Sequence, residues 1–447
     1  MAPLRFERRM SDTEALMWAL EDDPVLRSTF ATLTFFDRAP DIDAFRERMA
    51  TAIDALPRLR QRVLDGPGIA NPEWVDDPFF DLDFHMRRIA APQPADERTV
   101  LDLAAMLALD PLDRARPLWQ FTIIEGLADG RAAMVQKLHH TITDGEGSVR
   151  LSAMFLDIAR DATEPLGGVP EPAIIEDGGQ SAGDMVRSAM RIPIGIARGG
   201  YETLSNNPLE SIRSILRQVA VTEPSFSPLW VERSLRRHLE ILRISLEDAK
   251  TAASTLGGSV NDLFVAGACG AAGAYHRAKG TPVDELRMAM PVSTRTDKGA
   301  GRNAFTPTRL VVPVGIEDPE ERFAAIHEVL NVTKAERAVT LASSVAGLLS
   351  PLPNQLLTRF ARQQVGTVDF TTSNVRGASF DLYLSGALVE GNFPIGPMAG
   401  CAFNLTTLSY GGRLDMGCMM DAAAIDDPAL LKRCLVEAFD ELLAFSA

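Results

Sequence analysis

Cysteine is scarce here: four residues in 447, at Cys269, Cys401, Cys418 and Cys434, with no C-x-x-C pair among them. That spacing suits neither a zinc site nor a disulfide framework and points to the reducing cytosol. Positive charge is also short, with 45 Lys and Arg against 60 Asp and Glu and a formal net charge of −15. Such a balance argues against nucleic acid as the main partner, because phosphate binders carry a basic surplus. No stretch of 18 uninterrupted apolar residues occurs, so no transmembrane helix is expected and any membrane contact is peripheral. The start, MAPLRFERRM, is charged and lacks the apolar segment of a signal peptide. The expected location is therefore cytoplasmic. Histidine is equally sparse, with six residues in the whole chain.

Two of those six stand side by side, in His139-His140-Thr141-Ile142-Thr143-Asp144-Gly145. An apolar stretch at 132–138 precedes them. A helical pattern at 148–160 follows, with Leu151, Met154, Phe155 and Ile158 recurring at helical spacing. The motif thus sits on a strand-to-helix loop, a common seat for catalytic groups. Histidine suits proton abstraction from a hydroxyl or amine, since its ordinary pKa lies near neutrality. Adjacent side chains diverge, so His139 and His140 face different surroundings. Asp144 either folds back to fix a ring or pairs with an arginine, and Gly145 frees the backbone to turn into the helix. These residue types also ligate metals. No third-ligand motif such as H-E-x-x-H accompanies them, and no metal is expected.

The remaining pattern is an α/β (α+β) mixture. Apolar content of 46% and charged content of 23% indicate a globular chain able to bury large cores. Ser11 to Glu14 has the spacing of a capping box before a first helix. A β-rich run at 29–36 and a helix at 42–56 follow, the latter with Ile42, Phe45, Met49 and Ile53 on one face. Strands at 118–125 and 132–138 flank Asp129-Gly130, a hairpin signal. Pro, Gly and acids crowd residues 161–180, which read as a linker, and an amphipathic helix at 185–204 carries Arg187, Arg191 and Arg198. A helix at 261–279 carries Gly267, Gly270 and Gly273, which permit close packing of a neighbour. Strands are expected at 287–292, 308–314, 369–373, 401–410 and 413–418, with Gly411-Gly412 turning the last pair. The resulting division is an N-terminal subdomain at 1–170 carrying the histidines, a crossover segment at 171–229, and a C-terminal subdomain at 230–447.

HHTITDG resembles the HHxxxDG signature of the CoA-dependent acyltransferase superfamily, which includes chloramphenicol acetyltransferase and peptide-synthetase condensation domains. Five further segments, in order, resemble its bacterial wax ester synthase/diacylglycerol acyltransferase branch. They are PLDRARPLW at 111–119, Ser259-Val260-Asn261-Asp262, PVSTR at 291–295, Ser373-Asn374-Val375, and NLTTLSYGGRLDMGCMMD at 404–421. Three segments depart from the branch's usual pattern: Met10-Ser11-Asp12-Thr13 where Ser-Pro-x-Asp is usual, the strand STFATLTFF where Met-His-Val-Gly-Gly is usual, and Arg376-Gly377-Ala378 where Pro-Gly-Pro is usual.

The resemblance implies two chloramphenicol-acetyltransferase-like subdomains with a tunnel between them. It implies His140 as general base, His139 supporting the loop or the acceptor, Asp144 as a structural partner of Arg295, and Gly145 as a backbone requirement. Asn261, Asp262, Arg295, Ser373 and Asn374 are the implied substrate-binding residues, with Ser373 and Asn374 placed for the oxyanion or CoA. The co-substrate is acyl-CoA, with no resident cofactor. The acceptor is diacylglycerol or a long-chain fatty alcohol, giving triacylglycerol or wax ester. The alternatives are a carrier-protein donor or specialised acceptor, as in condensation enzymes, and a non-catalytic lipid-binding homologue. The apolar, proline-interrupted stretch at 339–360 reads either as a buried helix pair or as a surface that meets lipid, at the inner face of the membrane or on lipid droplets.

Overall fold

The computed structural model describes residues 5–66, 70–162, 165–168, 174–176, 225–293, 305–337 and 354–446. Arg187, Arg191, Arg198, Arg295 and residues 338–353 lie outside them. In chain order the strands are β1 (Arg5–Glu7), β2 (Thr29–Phe36), β3 (Gln61–Leu64), β4 (Glu73–Asp76), β5 (Met86–Ala90), β6 (Trp119–Glu125), β7 (Ala132–His139) and β8 (Ile174–Glu176). The second half adds β9 (Arg237–Ser245), β10 (Glu285–Ser293), β11 (Phe305–Pro313), β12 (Phe370–Arg376), β13 (Tyr383–Leu384), β14 (Ala387–Ile395), β15 (Phe403–Tyr410) and β16 (Arg413–Asp421).

Two six-stranded sheets organise these strands, in the orders β13-β14-β2-β7-β6-β5 and β11-β10-β12-β15-β16-β9. The apolar run of β2 follows from its position. Phe30 and Phe36 point to one side, against Phe45 and Met49 of the helix Ile42–Ala55. Ala31, Leu33 and Phe35 point to the other, into a cluster with Leu239, Cys401 and Met419 from the second half. A strand buried on both faces reads as a continuous hydrophobic stretch rather than an alternating one.

The first sheet is not built from the first half alone. Its edge is the hairpin β13-β14, and β14 pairs antiparallel with β2 from Val389↔Phe36 to Ile395↔Ala31, with a register shift between Val389 and Gly391. Residues 383–395 of the second half thus complete the sheet of the first. The crossing is pinned by polar and steric contacts. Asp415 is fully buried; it accepts from Asn392 N and from Arg243 Nε, each at 2.7 Å. Gly417 of β16 lies so close to β14 that a Cβ there would sit 2.1 Å from Pro394 O.

The crossing also shortens a helix. Sequence periodicity extends to residue 160, but the helix after the histidine loop is Gly145–Ser152. Asp157 instead pairs with Tyr383 at the hairpin, through backbone bonds of 2.8 and 2.9 Å. Elsewhere local signals hold. Ser11 forms a capping box with Glu14, and Ser259 forms one with Asp262 at the start of the helix Val260–Ala278. Along that helix Gly267 meets the Phe439 ring, Gly270 meets Arg322, and Gly273 meets Val314 O. All four cysteines are free and buried. No helix among the described residues is long and apolar enough to cross a membrane.

Candidate active site

The histidine loop begins where β7 runs out. Thr29↔His139 is the terminal pair of the β2–β7 ladder. The backbone of His140 then donates to Ser28 O at 3.0 Å, and Ile142 N closes a turn onto His139 O at 2.9 Å. The two rings separate as strand alternation requires. His139 points inward and is fully buried. Its Nδ1 accepts from Thr141 N at 3.1 Å and lies 2.7 Å from Thr141 Oγ1. A backbone amide aimed at Nδ1 leaves the ring proton on Nε2, which donates to Glu21 Oε2 at 2.9 Å. Burial pushes the Glu21 carboxyl up, but the hydrogen bond from His139 and its electrostatic effect, with donors from Ser28 and Thr29, outweigh it and hold Glu21 below its ordinary value.

His140 points the other way and is half-buried, its ring 4.5 Å from that of Phe30. Burial lowers its pKa to about 4, and the electrostatic effect of the neighbouring His139 ring pushes in the same direction. Asp144, a backbone hydrogen bond with Thr143, and Glu21 oppose that shift. The imidazole is therefore neutral at physiological pH, the state a general base needs.

Asp144 caps the helix Gly145–Ser152, its Oδ1 accepting from Gly147 N at 2.9 Å. Gly145 does not adopt a positive φ. What distinguishes the position is a close approach: a Cβ there would lie 3.1 Å from Val375 Cγ2. Gly147, which motif reading passed over, is more constrained, with Thr143 Oγ1 1.8 Å from its virtual Cβ.

Val375 belongs to the Ser373-Asn374-Val375 segment at the end of β12, so that strand end abuts the histidine loop. Asn374 Nδ2 in turn donates to Asn261 Oδ1 at 3.3 Å. Three motifs separated by more than a hundred residues thus meet at one junction of the two sheets. Ser373 is half-buried beside Asn374. Asp262 turns inward, 1% exposed, and its Oδ2 accepts from Ser259 N, Ser259 Oγ and His327 Nδ1 at 2.8–2.9 Å. Its structural position is that of a helix cap. Trp119 is core: its Nε1 donates to Leu59 O at 2.7 Å and its ring stacks on His85. Glu21 escaped sequence reasoning because it stands in Glu21-Asp22-Asp23, which reads as a solvated acidic run.

Among the described residues no group of three or more His, Cys, Asp or Glu side chains is placed to hold a metal ion. A cavity of about 600 Å³ lies between the sheets, lined by Phe35, Ile241, Arg243, Val389, Phe393 and Arg413. It is remote from the histidines, since Phe35 is six residues along β2 from Thr29, roughly 20 Å at strand rise.

Two mixed sheets joined by a crossing hairpin, with an HHxxxDG loop at their junction, define a two-lobed acyltransferase. Residues 10–264 match the wax ester synthase/diacylglycerol acyltransferase catalytic domain, and residues 302–443 match the C-terminal domain of the same family. The chain belongs to that family. A putative diacylglycerol O-acyltransferase of Mycobacterium tuberculosis is 37% identical, over 99% of this chain and 93% of its own length. A probable diacylglycerol O-acyltransferase of the same organism is 28% identical, over 91% and 89%. Among solved structures, the wax ester synthase/diacylglycerol acyltransferase from Marinobacter aquaeolei VT8 shares the fold with a TM-score of 0.69 at 22% identity, covering 98% of this chain and 99% of that one. The first condensation domain of the CDA synthetase shares it at 0.58 and 16% identity, covering 98% and 96%.

Proposed function

We propose that this acyltransferase moves the acyl group of an acyl-CoA onto the hydroxyl of diacylglycerol, forming triacylglycerol, with a long-chain fatty alcohol as the second acceptor, forming wax ester. The observation that carries the reading is the junction itself: a neutral His140 on a loop wedged between β2 and the end of β12. His140 takes the proton of the acceptor hydroxyl as its oxygen attacks the thioester carbonyl carbon. The tetrahedral intermediate collapses with cleavage of the C–S bond, and the proton on His140 passes to the departing CoA thiolate. No acyl-enzyme forms. Ser373 and Asn374, at the strand end beside the loop, are assigned to the oxyanion or to CoA. Asn261 holds Asn374, and Asp144 fixes the loop, with Arg295 as its assigned partner. His139 supports the loop from behind.

In this reading the reactants reach His140 through a tunnel between the lobes, and acyl-CoA is a co-substrate rather than a resident cofactor. Acceptors of this chemistry concentrate in lipid, so the working enzyme is placed peripherally, at the cytoplasmic face of a membrane or on a lipid droplet. The test is CoA release from palmitoyl-CoA with diacylglycerol, with hexadecanol and with no acceptor, for wild type and His140→Ala. Acceptor-dependent release that His140→Ala abolishes is the expected result, and it ranks the two alcohols. Release from a folded protein that is absent with both acceptors, or indifferent to His140→Ala, overturns the proposal.

A further inference from the structure

A second carboxylate–imidazole contact lies directly behind the catalytic loop. Glu21 is 6% exposed and His139 is fully buried, and they meet at 2.9 Å. The same oxygen of Glu21 accepts from Ser28 N at 2.9 Å, and the other accepts from Thr29 Oγ1 at 3.1 Å. These donors are not scattered. Ser28 O receives the backbone N–H of His140, and Thr29 precedes Phe30, whose ring lies against the His140 ring. One carboxylate therefore ties the last rung of the β2–β7 ladder to the first residue of the motif, and every tie leads one step further to His140.

The site is also electrically arranged. A carboxylate in so buried a place needs donors for its lone pairs, and three are present. Glu14, buried and held by Ser11, also interacts electrostatically with His139, and with Arg58, which is buried between the Phe6 and Trp74 rings. Asp144 lies on the far side of the loop, engaged in the helix cap. Glu21 is the carboxylate bonded to the motif's first histidine, and its charge opposes the burial that disfavours a proton on His140. During acyl transfer that proton must arrive, and a fixed negative charge in a dry setting lowers its cost.

We infer that Glu21 is a positioning residue for acyl transfer: through His139 it fixes the loop that carries His140, and its buried charge favours the imidazolium that forms there. The inference rests on His140 being the general base. Two substitutions separate the two duties. Glu21→Gln keeps the length and an acceptor for His139 but removes the charge. Glu21→Asp keeps the charge but withdraws it by one methylene.

Each variant of the full chain is assayed for CoA release with saturating palmitoyl-CoA and acceptor, beside His140→Ala. Glu21→Gln is expected to lower kcat about 10–100-fold, the scale of a lost preorganised charge, with KM for both substrates within about two-fold. Glu21→Asp is expected to lower kcat at least about five-fold, again at constant KM. Melting temperature and circular dichroism accompany each, so that unfolding is seen for what it is. If either variant fails to fold, the other carries the test. A folded variant with kcat within about two-fold of wild type, or a loss that falls on KM, overturns the inference. Full activity in His140→Ala instead removes the reading beneath it, and the two failures are distinct.

Discussion

Gly145 packs tightly against Val375, a virtual Cβ on the glycine lying 3.1 Å from Cγ2 of the valine. The contact joins the start of the helix Gly145–Ser152 in the first half to the end of β12 in the second. It fixes where Asp144, and the histidine loop before it, stand relative to Ser373 and Asn374. Adding one methyl group there forces a displacement of a few tenths of an ångström. Backbone strain does not enter, because Gly145 has an ordinary φ. Gly145→Ala is expected to cost about 1 kcal/mol of stability, yet to lower kcat about ten-fold or more, since acyl transfer tolerates little misplacement. Val375→Ala in the same chain restores the space, and recovery of kcat in the double variant is the check. Additive losses would show that the contact does not position the loop.

Gly417 makes a tighter approach, 2.1 Å from its virtual Cβ to the carbonyl oxygen of Pro394. Here the obstacle is backbone in a paired strand, which cannot rotate away. Gly417→Ala is expected to destabilise the fold by about 1–3 kcal/mol, by prising β14 from β16. Urea denaturation measures it. The same substitution at Gly130, which has a φ of +82° but nothing within 4 Å of its Cβ, tests conformational strain without crowding.

The pH dependence of catalysis follows from His140. With His140 as the proposed general base, the neutral ring is the active form, and burial, helped by His139, lowers its pKa to about 4 against an ordinary value of 6.5. Activity is therefore lost only as pH falls through that lowered value, not through the ordinary histidine range. The expected profile of kcat/KM is flat from about pH 8 to about pH 5. Its measurement across that window decides the point, and an acid limb centred near 6.5 would contradict it.

Much of this protein was legible before any coordinates. The strand 29–36, the cap at Ser11 and the turn at Gly411-Gly412 all appear where their residues suggest. The glycines of the helix Val260–Ala278 do admit close neighbours. Strands β1, β3, β4, β5, β8, β9, β13 and β14 answer to no strand expected from the sequence. β14 carries Gly391 and Pro394 in its interior, residues that weaken a strand signal, and it persists because it is buried between β2 on one side and β16 on another.

The sequence by itself determined the family of the fold and pointed to the histidine loop as its site, because those signals are local. A strand that ends in two histidines, an acid at the next helix start and small residues around it sit within nine positions, 139–147, and their meaning survives without knowledge of distant neighbours. Tertiary structure decided what lies across from them. Glu21 reaches His139 over 118 positions, and Asn374 reaches Asn261 over 113. The helix after the loop ends at Ser152, short of where its periodicity leads, since Asp157 is drawn to Tyr383. Such contacts depend on how two sheets pack, and packing is a property of surfaces assembled from the whole chain.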